Sequence, residues 1–93
     1  MTHKCYHYSV NSKQQKTLEA IFANPTNGNL SWSLIENLLV AVGCRIIEGQ
    51  GSSITVEKNG VRAYFHRPHP QKEALRYRVL DAREFLTKIG VQP

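Results

Sequence analysis

Between residues 12 and 42 the apolar positions recur every three or four residues, the period of a helix with one buried face. Leu18, Ile21 and Phe22 make the first such set. Ser12 and Gln15 ahead of them have the spacing of a capping box, which satisfies two free amides at a helix start. Asn24-Pro25 stops this helix, because the residue before a proline is pushed out of helical conformation, and Asn27-Gly28-Asn29 prolongs the turn. A second helix is expected over 31–42. Leu34, Ile35, Leu38, Leu39 and Val42 form its apolar face, and Gly43 stands where a helix usually ends. Trp32, in its first turn, is large enough to anchor packing and also to stack on a base, and packing is the more frequent use.

From residue 44 the period changes to two. Strands are expected over 44–48, 52–58 and 61–66, with Gly49 and Gly51 bracketing the first turn. Asn59-Gly60 joins the last two. It is a strong hairpin signal, since both residues accept the positive φ of a type I′ turn. With those two as the loop, Lys58 faces Val61 and the pairing runs on to Ser53 opposite His66. One face then collects Ile54, Val56, Ala63 and Phe65. The other collects Ser53, Thr55, Glu57, Arg62, Tyr64 and His66, with opposite charges together at Glu57 and Arg62. A slip of one residue would scramble this separation.

His66-Arg67-Pro68-His69-Pro70 cannot continue a regular strand, because proline has no ladder donor. Residues 75–79 fit an extended segment. A last helix is expected from Asp81, with Glu84 at capping-box spacing, Phe85, Leu86 and Ile89 inward and Gly90 at its end. The order is helix, helix, three antiparallel strands, helix. The class is α+β, with helices on one face of the sheet and the other face open. Residues 1–11 form a flexible N-terminal arm and 12–93 a single domain.

Charge adds direction. Twelve Lys and Arg against seven Asp and Glu leave a formal net charge of +5, in a chain of 93 residues with room for one small domain. Seven of the bases lie from Arg62 onward, against Glu73, Asp81 and Glu84. Such an excess suits an anionic partner, nucleic acid foremost, and equally a merely soluble basic surface. No apolar run approaches the roughly 20 residues of a membrane span, and the start lacks the apolar stretch of a secretory signal. The expected location is therefore cytoplasmic, with Cys5 and Cys44 reduced. His3, Cys5 and His7 make a poor metal site, three ligands on an arm without a fourth nearby. Neither a metal nor another cofactor is expected.

Several features in order resemble the HicA family of toxins over 34–91. They are the amphipathic run Leu34-Ile35-Glu36-Asn37-Leu38-Leu39 closing at Gly43, the pair Gly51-Ser52 after a strand, the tight turn at Asn59-Gly60, the pair His69-Pro70, and a final helix through Phe85-Leu86 to Gly90-Val91. The resemblance implies a double-stranded-RNA-binding-like fold, α-β-β-β-α, with the helix at residues 12–23 as an extra N-terminal element. It implies the toxin of a type II toxin–antitoxin system, a messenger-RNA endonuclease neutralised by a HicB-like antitoxin. The family motif is Gly-Ser-His, with a catalytic histidine. Here Ser53 holds that place, and serine cannot shuttle a proton near neutral pH as imidazole does. Proton transfer is carried elsewhere, or the chain is an inactive RNA-binding or antitoxin-binding relative, or the histidine has been replaced.

RNA cleavage through its own 2′-OH needs a general base, a general acid and a cation for the phosphorane. The strands lack the paired carboxylates of a metal nuclease, which favours a metal-independent route. Directly opposed residues on antiparallel strands have Cβ atoms about 4.5–5.5 Å apart, so His66 stands beside Ser53 and is the first catalytic candidate. His69, between prolines, is the second, and it equally suits a turn-shaping role. Arg62, Arg67, Arg76 and Arg78 are candidate phosphate contacts, and Tyr64 offers a stacking face or a hydroxyl. An exposed strand-end histidine without a role is the plain alternative for His66.

Overall fold

A computed structural model describes residues 10–26, 28–68 and 76–93. The elements are α1 (Ser12–Ile21), α2 (Trp32–Ala41), β1 (Arg45–Glu48), β2 (Ser53–Lys58), β3 (Val61–His66) and α3 (Arg76–Lys88). The three strands form one antiparallel sheet in the order β1-β2-β3. From α2 onward this is the α-β-β-β-α order of a double-stranded-RNA-binding-like α+β fold, with α1 added in front.

The cap of α1 lies one residue earlier than the sequence suggests. Asn11, not Ser12, is the N-cap: its Oδ1 accepts from the Gln14 amide at 2.8 Å, and Gln14 Oε1 accepts from the Asn11 amide at 3.0 Å. Asparagine and serine cap equally well, so local chemistry alone does not choose between adjacent candidates. The expected arm falls outside the described residues except for Asn11 and Val10, which packs against the core.

Helices α2 and α3 end in the same way. The Gly43 and Cys44 amides donate to the Val40 and Leu39 carbonyls, and the Gly90 and Val91 amides donate to those of Thr87 and Leu86. This Schellman geometry requires the positive φ seen at Gly43 (97°) and Gly90 (84°). The residue after each glycine, Cys44 or Val91, is buried, as the motif's apolar contact demands. Burial raises the Cys44 thiol to a pKa of about 11, with Lys58 opposing.

Helix α3 corrects the sequence reading. Residues 76–79 are helical rather than extended, and Asp81 lies inside the helix rather than at its cap. Val79, Ala82, Phe85 and Leu86 are all buried along one helical face. Val79 therefore belongs to the helical period, and Glu84 pairs with Lys88 at 3.6 Å instead of closing a cap.

The expected hairpin register is the one observed, from Lys58↔Val61 to Ser53↔His66. Its apolar face, with Ile54, Val56 and Phe65 buried, joins the core formed by Leu18, Ile21, Ile35, Leu38, Leu39, Val79 and Leu86. Trp32 is buried against Phe65, ring centroids 5.2 Å apart at 45°, and so fills a packing role. Helix α1 packs against both α2 and α3. Arg83 fastens it, donating from Nε to the Ile21 carbonyl and from Nη2 to that of Ala23, both at 2.9 Å. The guanidinium also lies 6.0 Å from the centre of the Phe22 ring. No helix among the described residues is long and apolar enough to cross a membrane.

Candidate functional site

The face of the sheet turned away from the helices carries three cross-strand rows. At one end Ser53 pairs with His66. In the middle lie Ile47, Thr55 and Tyr64, with Tyr64 72% exposed. At the other end Glu57 sits between Arg45 and Arg62, 3.6 Å from each. Alternation along β2 and β3 creates this face. Its polar positions are the ones that the hairpin turn keeps out of the core.

The Ser53 hydroxyl donates to the Gln50 carbonyl at 2.8 Å and so helps to close the turn between β1 and β2. Gly49 makes room for it, because a Cβ there would lie 2.6 Å from Ser53 Oγ. His66 is exposed at the end of β3. It lines a cleft between β3 and α3 together with Tyr64, Phe65, Tyr77, Arg78 and Asp81. A second cleft adjoins it, bordered by Arg62, Tyr64, Asp81 and Lys88 among others.

The structure thus brings together four of the sequence-predicted residues, Ser53, His66, Tyr64 and Arg78. Arg62 lies four positions from His66 along β3, roughly 13 Å at strand rise. It therefore suits a neighbouring phosphate better than the one beside the imidazole. Arg76 packs by the turn before α2, its Cγ 3.2 Å from where a Gly28 Cβ would stand. His69 and the group His3, Cys5 and His7 lie outside the described residues. Among the described residues no group of three or more His, Cys, Asp or Glu is placed to hold a metal.

Arg67 departs most from expectation. It follows His66 and points to the other side of the sheet. Its Nε and Nη2 donate to Glu36 Oε1 and Oε2 at 2.9 and 2.7 Å, and its Nη1 and Nη2 donate to Glu48 Oε1 and Oε2 at 2.8 and 2.9 Å. Trp32 Nε1 donates to the same Glu36 at 2.9 Å. The hydrogen bonds to Arg67 hold the Glu36 carboxyl below its ordinary range; burial opposes them and the Trp32 bond assists. The two carboxylates raise the Arg67 pKa further. A guanidinium so engaged is a brace between α2, β1 and the end of β3 rather than a free phosphate contact.

Tyr77 and Asp81 are the cleft residues that sequence reasoning missed. They are four apart, neighbours on one helical face, but setting the helix start at Asp81 hid that relation.

A family model described as the HicA toxin of bacterial toxin–antitoxin systems matches residues 32–91, more than half of the chain. Neither the curated proteins nor the solved structures compared with the chain give a match.

Proposed function

The chain belongs to the HicA family, toxins of bacterial toxin–antitoxin systems, and from that membership we propose that it is a cytoplasmic endoribonuclease that binds and cuts messenger RNA on its open sheet face. The observation that carries this reading is the pairing of His66 with Ser53 on that face, beside Arg78 and Tyr64. On this reading an imidazole stands next to Ser53, which the family resemblance puts at the catalytic-histidine position, with a cation on the same cleft.

In the proposed reaction the 2′-oxygen attacks the adjacent phosphorus and the bond to the 5′-oxygen breaks, leaving a cyclic phosphate and a 5′-hydroxyl. One proton must leave the 2′-hydroxyl and another must reach the departing oxygen. His66 is assigned one of these transfers and His69 is the second candidate. Arg78 stabilises the extra negative charge of the phosphorane. Tyr64 supplies a stacking face, and Arg62 binds a flanking phosphate, whereas Arg76 is held by the turn before α2. Ser53 marks the site without itself transferring a proton.

A HicB-like antitoxin is the proposed protein partner. Covering the face that bears Ser53, Tyr64 and His66 is the direct way to silence it, and an acidic surface suits the net positive charge.

One observation favours a second reading, an RNA-binding module without catalysis: the Ser53 hydroxyl is committed to the Gln50 carbonyl and offers no proton relay. Incubating the purified chain with end-labelled messenger RNA separates the two. Cleavage supports the nuclease, retention without cleavage the binding module, and neither overturns both.

A further inference from the structure

The cleft beside His66 holds groups that the cleavage chemistry does not require. Tyr64 and Tyr77 are 72% and 55% exposed, large rings left uncovered by the core, on two different elements. They share the cleft with Arg78 and Asp81. The Arg78 guanidinium carbon lies 5.1 Å from the centre of the Tyr77 ring. Asp81 has no hydrogen bond or ion pair among the described residues, although the chain carries a net charge of +5.

We propose that this cleft is a subsite for a single nucleobase and that Asp81 makes it select guanine. The inference rests on the RNA-binding reading above. Exposed aromatic faces accept any base, since every base has a π-face. Discrimination must then come from the edge. An ionised carboxylate only accepts hydrogen bonds. Guanine presents two adjacent donors, N1–H and the 2-amino group, which match the two oxygens of a carboxylate. Adenine and cytosine each set a ring-nitrogen acceptor beside their amino donor, and uracil flanks its one donor with carbonyls. Those acceptors face the carboxylate unfavourably. Arg78, on the same cleft, offsets the repulsion between Asp81 and the nucleotide's phosphate. Because His66 lines this cleft too, the selected guanine lies next to the bond that is cut.

The test is fluorescence anisotropy with the full chain and labelled uridine hexamers carrying one central guanine, inosine or adenine. The hexamers are 2′-O-methylated so that no strand is cut. The guanine hexamer is expected to bind about tenfold more tightly than the adenine one, within the range of a bidentate base contact. Inosine, which lacks the 2-amino group, falls between. Asp81→Asn offers one donor and one acceptor and is expected to weaken the guanine hexamer and to shift preference towards adenine. Tyr77→Ala weakens all three by roughly fivefold or more, the loss of one stacking contact. Equal binding of the three hexamers overturns the subsite and leaves RNA binding standing. So does a guanine preference that survives Asp81→Asn. Absence of binding to every hexamer overturns both readings.

Discussion

Arg67 and Glu36 meet through two parallel hydrogen bonds, Nε to Oε1 at 2.9 Å and Nη2 to Oε2 at 2.7 Å, joining the end of β3 to α2. The arrangement is the bidentate fork that arginine makes and lysine cannot. Arg67→Ala leaves a half-buried carboxylate without its main partner. Solvent reaches the pair, which reduces the loss below that of a fully buried one. About 1–2 kcal/mol of stability is expected to go, a fall in Tm on the order of 10 °C for a domain of this size. Arg67→Lys should recover only part of it, as urea melts of the three proteins would reveal.

The same pair makes stability depend on acidity. Glu36 has its pKa lowered in the folded chain from an ordinary value of 4.5, chiefly by the hydrogen bonds from Arg67. A lowered carboxyl pKa means that the unfolded chain binds the proton more readily. The contribution is therefore complete above the ordinary value and is lost as pH falls through the folded one. Unfolding free energies measured between about pH 6 and pH 3 should drop more steeply for the wild type than for Glu36→Gln, which has no carboxyl to protonate there. Parallel curves would refute the assignment.

His66→Ala should slow RNA cleavage by a factor of about 10²–10⁴, the usual weight of general acid–base catalysis. Folding and RNA retention should stay near the wild type, because His66 is exposed at a strand end. Ser53→His should maintain or raise the rate. Cleavage at the wild-type rate by His66→Ala would move the proton transfer to His69. Cleavage by Ser53→His alone would identify the native chain as an inactive member of its family.

RNA affinity should fall steeply with salt, because each phosphate contact releases counterions. Arg62→Ala should lower the slope of log affinity against log salt by about one. Arg67→Ala should leave that slope unchanged, since its donors already belong to Glu36 and Glu48. A reduced slope for Arg67→Ala would return it to the RNA surface.

The parts of the fold that local rules govern were legible in the residue order. Asn59-Gly60 set the hairpin register down to Ser53↔His66, and Gly43 and Gly90 marked two helix ends. Helix starts were harder. Asn11 and Ser12 are adjacent residues of equal capping ability, and Asp81 has cap-like spacing although Val79 already belongs to the helix. The site suffered from the same limit. Ser53, His66 and Tyr64 followed from strand alternation. Tyr77 and Asp81 did not, because their shared face exists only once α3 begins at Arg76. Arg67 looked like one more base in a basic stretch, and its partners Glu36 and Glu48 are 31 and 19 residues away. No local spacing announces such a contact.

Helix α1 lies ahead of the span that the family model matches, yet Leu18 and Ile21 are wholly enclosed by the rest of the chain and Arg83 holds the helix by its last carbonyls. The span that the family model matches therefore leaves part of this protein's core uncovered when taken alone. A fragment trimmed to residues 32–91 would present to water the apolar strip of α2 and α3 that α1 now shields, next to an arginine stripped of its acceptors, and solubility would fail before any question of catalysis arose.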